Sequence, residues 1–194
     1  MKPINSLADL IEQSLSKYAD KPAFHCLGQT LSFAEIEQKS RALAIWLQQH
    51  SGLKQGDRIV IQLPNLIQYP IAAYAALRAG LVLVNTNPLY TTREMQHQFK
   101  DSGAKAIIIL ADLYPKLAEI QSQTDIQQVI ITQAGDLLAK GEVPDAPEGT
   151  HQLLDILNAK NSESLEPRQN QALDDVCVLQ YTGGTTGVSK GAML

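Results

Sequence analysis

The chain has 194 residues, 16 Lys plus Arg against 20 Asp plus Glu, a net charge of −4, and 44% hydrophobic content. This is ordinary globular composition, long enough to bury a core without covalent staples, and it excludes the disordered and fibrous classes. The acidic balance and ten dispersed aromatics argue against a nucleic-acid interface, which needs clustered cations and stacking rings. In chain order, Ser6 with Asp9 predicts a capped helix start. That helix is expected to carry Leu7, Leu10, Ile11, Leu15 and Tyr18 on one face. A hairpin is expected from 23–26 and 30–33 around Gly28-Gln29. Ser32 with Glu35 opens a longer helix, with Phe33, Ile36, Leu43 and Leu47 at helical spacing. Residues 58–63 read as a strand. Asn65 then caps a third helix through Ala79, closed by Gly80. A strand at 81–84 precedes a helix opened by Thr91 with Glu94. Further strands are expected at 106–110, 128–132 and 175–181.

Most of these strands are apolar on both faces, as strands covered by helices must be. Their alternation with helices predicts an α/β fold with a largely parallel sheet flanked by helices. Residues 141–175 differ in composition. Eight acidic side chains there face only Lys160 and Arg168, a balance of −6 that leaves +2 for the rest. With Pro144, Pro147 and Pro167, the stretch 141–174 reads as an acidic, solvated connecting region around one short helix near 153–159. The most apolar run, 71–84, is interrupted by Arg78 and Gly80 and falls short of the ~20 residues a spanning helix needs. No apolar run follows the N-terminus, so no secretory leader is expected. Cys26 and Cys177, far apart and outside any CxxC, read as thiols of a reducing, cytoplasmic compartment.

Chemistry concentrates in Tyr181-Thr182-Gly183-Gly184-Thr185-Thr186-Gly187-Val188-Ser189-Lys190-Gly191. Glycines let the backbone approach a ligand, hydroxyls add donors, and Lys190 adds a positive charge, which together suit a polyphosphate. The bland alternative is a Gly/Thr turn between two strands. The Walker pattern fails because the chain contains no Gly-Lys dipeptide, and the glycine spacing also misses G-x-G-x-x-G. Gly187 to Gly191 matches the G-x-S-x-G nucleophile elbow. That fold needs an acid and a His after the serine, whereas His25, His50, His97 and His151 all lie upstream and read as surface or core residues.

Thr182 to Gly191 resembles, position by position, the Thr-Ser-Gly-Thr-Thr-Gly-x-Pro-Lys-Gly loop of the adenylate-forming enzymes. Gly183 and Ser189 depart from that pattern, and both departures occur in bacterial long-chain fatty-acyl-CoA synthetases. Leu31-Ser-Phe-Ala-Glu-Ile36 is similar to the family's early Thr-Tyr-x-Glu-Leu element, and residues 78–88 to its Lys-Ala-Gly…Asn-Pro segment. Residues 91–109, including Asp101-Ser-Gly-Ala-Lys105, resemble the fatty-acyl branch.

The resemblance implies that residues 1–194 are the N-terminal portion of the large AMP-binding domain. The later strands, the adenine and Mg²⁺ motifs, the acyl pocket and the C-terminal domain are expected beyond residue 194. It implies activation of a fatty acid by Mg-ATP to an acyl-adenylate, then transfer to CoA, with ATP, Mg²⁺ and CoA as cofactors and co-substrates. Residues 181–191 would hold the ATP phosphates, Lys190 among them, while no catalytic or metal-ligating residue is expected within the chain. The fragment alone is expected to be inactive. A cytoplasmic location is implied, and peripheral contact with the inner membrane and a homodimer are left open. Two alternatives stand beside this reading. One is an AMP-forming ligase for another carboxylic acid, the other a truncated binding module without turnover.

Overall fold

The structure, a computed structural model, describes residues 3–138, 146–159, 163–169, 172–182 and 189–194. Helix α1 (Leu7–Lys17) starts at the expected cap, where Ser6 Oγ accepts from the Asp9 amide at 3.1 Å. The reciprocal half of the box does not form, because the Asp9 carboxylate accepts from the Asn5 amide instead. The buried stripe of α1 also differs from the expected face. Ala8 and Leu15 are buried and Ile11 packs beside them, whereas Leu7, Leu10 and Tyr18 face outward. The hairpin of β1 (Pro22–Cys26) and β2 (Gln29–Ser32) turns at Leu27-Gly28, one residue earlier than expected. Both turn residues have positive φ, which a two-residue hairpin turn requires, and Gln29 is thereby freed to pair with Cys26.

Helix α2 (Phe33–Gln49) opens with a complete capping box between Ser32 and Glu35, and buries Ile36, Leu43 and Leu47 fully. Strand β3 (Arg58–Gln62) follows, and then α3 (Gln68–Arg78), which begins three residues after the expected Asn65 cap. A turn closed by the Tyr69 amide on the Leu66 carbonyl occupies the intervening residues, and no side chain caps the helix. Gly80 ends it at φ +79°, where a Cβ would also meet Gln55 Cγ at 3.0 Å. Strand β4 (Val82–Asn85) leads to α4 (Thr92–Ser102), whose Thr91–Glu94 capping box is complete. Strand β5 (Ala106–Leu110) and strand β6 (Gln128–Thr132) match expectation to the residue, while the helix between them, α5 (Tyr114–Ile120), was not anticipated. The remaining elements are β7 (His151–Gln152), α6 (Leu153–Asn158), β8 (Val178–Thr182) and β9 (Lys190–Met193).

Seven strands form one sheet in the order β7-β6-β5-β3-β4-β8-β9, parallel except for the antiparallel β8–β9 pair. Alternation along each strand sends Ile59, Ile61, Leu83, Ile108 and Ile130 into a core shared with α1, α2, α3 and α6. Val60, Val84, Ile107, Ile109 and Ile131 enter a second core with Met95 and Phe99 of α4 and Leu117 of α5. Two covered faces are the reason these strands lack a polar side.

From β3 the chain moves to β4 on one side and then to β5 on the other, so the order reverses at β3. It continues to β7, then recrosses to lay β8 beside β4. The returning segment 163–169, expected as solvated loop, is held side chain to backbone. Gln48 donates to the Glu166 carbonyl and accepts its amide at 3.2 and 2.9 Å, and Gln55 does the same for Gln169 at 2.6 and 3.0 Å. Arg168 pairs with Asp9 and Glu12 of α1. Glutamine amides thus stand in for a neighbouring strand.

Candidate functional site

Strand β8 runs parallel to β4, so its end at Thr182 lies at the carboxyl edge of the sheet, outside which open α/β sheets bind ligands. The chain leaves there and returns as β9, with Thr182 opposite Lys190 and Tyr181 opposite Gly191. Gly183, Gly184, Thr185, Thr186, Gly187 and Val188 lie outside the described residues. Their flanks, Tyr181, Thr182, Ser189, Lys190 and Gly191, form the mouth of the loop. Ser189 Oγ donates to the Thr182 carbonyl at 2.8 Å and ties the two sides together. Thr182 and Lys190 are exposed, and Lys190 makes no ion pair among the described residues.

Tyr181 and Gly191 pack against each other. The Tyr181 ring is buried in the second core, and its hydroxyl donates to Asp101 Oδ2 at 2.6 Å. Burial first, then the hydrogen bond to Asp101 and its negative charge, push the phenol's pKa well above 10, so it stays protonated. The ring lies across Gly191, where a Cβ would sit 2.9 Å from Cε2 and 3.0 Å from Cζ. Gly191 is therefore required by the close approach of that ring.

On the other face of the sheet, Asn85 links α3 to β8. Its side chain accepts from the Tyr69 hydroxyl at 2.5 Å and donates to Gln180 at 2.7 Å. Burial raises the pKa of Tyr69, and the phenol keeps the proton it donates. Two buried glutamines fix the turn after β4: Gln98 donates to the Asn85 carbonyl and Gln62 to the Asn87 carbonyl. From α4, His97 Nε2 lies 2.9 Å from the Ser189 carbonyl. A carbonyl only accepts, so this contact places the proton on Nε2.

The two ends of the loop are thus tied by a hydrogen bond, and Lys190, in no ion pair among the described residues, stands across from the exposed Thr182. An exposed cation and a hydroxyl at one sheet edge suit an oxyanion. Two grooves of about 840 and 960 Å³ run along α1, away from the loop. In the first, Arg78 pairs with Glu37 and Glu12, Arg41 with Glu37, and Arg168 with Asp9 and Glu12; in the second, Lys17 Nζ lies over the Tyr18 ring, 5.0 Å from its centroid. The described residues include no group of three or more His, Cys, Asp or Glu side chains able to hold a metal, and no helix long and apolar enough to cross a membrane. Sequence reasoning placed His97 on the surface or in the core and missed its bond to the loop. The available signal was the one-turn spacing of His97 and Asp101 beside the buried positions Gln98 and Phe99 of a capped helix.

The sequence profile described as AMP-binding enzyme matches residues 11–194. The chain is 43% identical to the long-chain-fatty-acid–CoA ligase of Escherichia coli O6:H1, over 97% of this chain and 36% of that protein. It is 34% identical to the ligase of the same name in Bacillus subtilis, over 99% of this chain and 37% of that protein. Among solved structures, a long-chain-fatty-acid-CoA ligase from Archaeoglobus fulgidus superposes with a TM-score of 0.77 at 28% identity, over 99% of this chain and 37% of that one. The chain thus spans little more than a third of the length of the relatives it matches.

Proposed function

Because the chain belongs to the AMP-binding enzyme family, we propose that it is the N-terminal, phosphate-holding part of an AMP-forming ligase that joins a long-chain fatty acid to CoA. The observation that carries the reading is the pair of loop ends at the carboxyl edge of the sheet, Thr182 opposite Lys190, with Lys190 exposed and in no ion pair among the described residues. In the first half-reaction a carboxylate oxygen attacks the α-phosphorus of ATP, the bond to the bridging oxygen breaks, and pyrophosphate leaves. In the second, the CoA thiol displaces AMP from the acyl carbon and gives up its proton. Neither the attack on phosphorus nor the departure of pyrophosphate needs a general base from this chain. Residues 182–190 hold the β- and γ-phosphates, and Lys190 faces the charge that builds on the leaving group. Mg²⁺ bound with the ATP would supply further charge neutralisation there.

The fatty-acid preference rests on likeness to the long-chain ligases. A cytoplasmic location, peripheral membrane contact, a homodimer and the division of the chain into an AMP-binding portion with an acidic connector at 141–174 belong to the same proposal. The free thiols of Cys26 and Cys177 agree with a reducing compartment. The test is pyrophosphate exchange and CoA-thioester formation by the gene product carried to the length of its relatives, with palmitate as the acid. Lys190→Ala should lose roughly ten- to a hundredfold in adenylation, through ATP dependence, as one contact to a charged group predicts. Ser189→Ala should stay within severalfold, because its hydroxyl serves the Thr182 carbonyl. Abolished activity in Ser189→Ala, or its labelling by a fluorophosphonate, would overturn the ligase in favour of a hydrolase. Exchange with aromatic but not fatty acids would transfer the assignment to another acid.

A further inference from the structure

We infer that His97 and Asp101, one turn apart on α4, are positioning residues that set the loop's two ends for phosphate binding. The inference rests on the phosphate-holding role of the loop. Asp101 holds the entry through the Tyr181 hydroxyl at 2.6 Å, and His97 holds the exit through the Ser189 carbonyl at 2.9 Å. Side chains at i and i+4 project from one face of a helix, so a single rigid element sets both anchors at once. Helix α4 is itself fixed by its Thr91–Glu94 box and by the fully buried Met95 and Phe99.

The His97 bond acts on Lys190 through peptide geometry. The Ser189 carbonyl and the Lys190 N–H belong to one planar unit. Holding the carbonyl therefore fixes the orientation of that plane, and with it the direction in which Lys190 leaves the backbone. Ser189 Oγ pins the same residue to the Thr182 carbonyl, so Ser189 is held at two points. Fixing that direction in advance removes the backbone's share of the ordering cost of binding, while the exposed side chain still settles its own torsions. Neither side chain needs to touch the nucleotide.

The experiment uses the gene product at the length of its relatives and reads ATP and fatty-acid dependence of pyrophosphate exchange, with a thermal melt on each variant. His97→Ala should raise the KM for ATP roughly two- to tenfold, the size of one neutral hydrogen bond, and leave the fatty-acid KM unchanged. His97→Gln places an amide nitrogen near the position of Nε2 and should restore the ATP KM to within about twofold. His97→Asn, whose amide reaches only as far as Nδ1, should behave like alanine. If alanine does not fold, the Gln and Asn pair carries the comparison. An unchanged ATP KM in His97→Ala, or equal losses in Gln and Asn, overturns the positioning role. Lys190→Ala in the same assay separates the two failures. If it loses ATP dependence while His97→Ala does not, only the positioning role falls; if it is silent, the phosphate reading falls and takes this inference with it.

Discussion

Gly191→Ala tests whether that glycine serves a ligand or its neighbour. Gly191 is not in the left-handed region, so alanine meets no backbone strain, and the whole effect comes from one added methyl group. That Cβ would lie 2.9 and 3.0 Å from two atoms of the Tyr181 ring, whereas ordinary carbon contacts are about 3.5–4.0 Å. The ring has little room to retreat, being 7% exposed and tethered by its hydroxyl to Asp101. Overpacking of this kind costs about 1–3 kcal/mol. For a chain of this size that lowers the melting temperature by roughly 2–10 °C. A double-mutant cycle in urea makes the test specific. Tyr181→Leu removes the ring and carries its own penalty, but in that background Gly191→Ala should cost close to nothing. A coupling of about 1–3 kcal/mol between the two sites is the expected result. The same cost for Gly191→Ala in both backgrounds, or none in either, would refute the packing argument and return Gly191 to the phosphate loop.

Arg78 should be among the most sensitive surface-remote positions. Its side chain is 3% exposed and donates to the Glu37 carboxylate at 2.8 Å, to Ser40 Oγ at 2.9 Å and to the Glu37 carbonyl at 3.0 Å; the carboxylate it would leave behind is 35% exposed and can be rehydrated, so Arg78→Ala should cost about 1–3 kcal/mol in a urea titration. The capping boxes set an acid limit. Hydrogen bonds from the Ser32 and Thr91 amides, then from their hydroxyls, hold Glu35 and Glu94 below the ordinary 4.5. Their stabilisation is therefore complete above that value and is lost as pH falls through the lower folded values, so replacing both by alanine should flatten the decline in urea midpoint between about pH 5 and pH 3. The 194-residue chain by itself should form no CoA thioester from palmitate, ATP and CoA. Turnover above a blank without protein would show that the chain carries the whole reaction.

Features determined locally were legible in the sequence. The two complete capping boxes need only residues three apart, and β5 and β6 are short β-branched runs whose apolar character on both faces already requires helices above and below. The stretch from Thr182 to Lys190 stood out in the sequence because glycines, hydroxyls and a lysine are concentrated there. What the chain does around that loop was decided by contacts distant in sequence. Strand β7 is two residues long and exists because β6 offers it an edge, and α5 is too short to show a period. The outward turn of Leu7 and Leu10 follows from how α1 meets α2 and α3, since amphipathic spacing permits more than one stripe. Segment 163–169 has the composition of a solvated loop, yet Gln48 and Gln55, over a hundred residues away, satisfy its backbone. Gly191 and His97 show the same division. Their residue types were plain in the sequence, but only the antiparallel register of β8 and β9 and the packing of α4 put the one beneath the Tyr181 ring and the other against the Ser189 carbonyl.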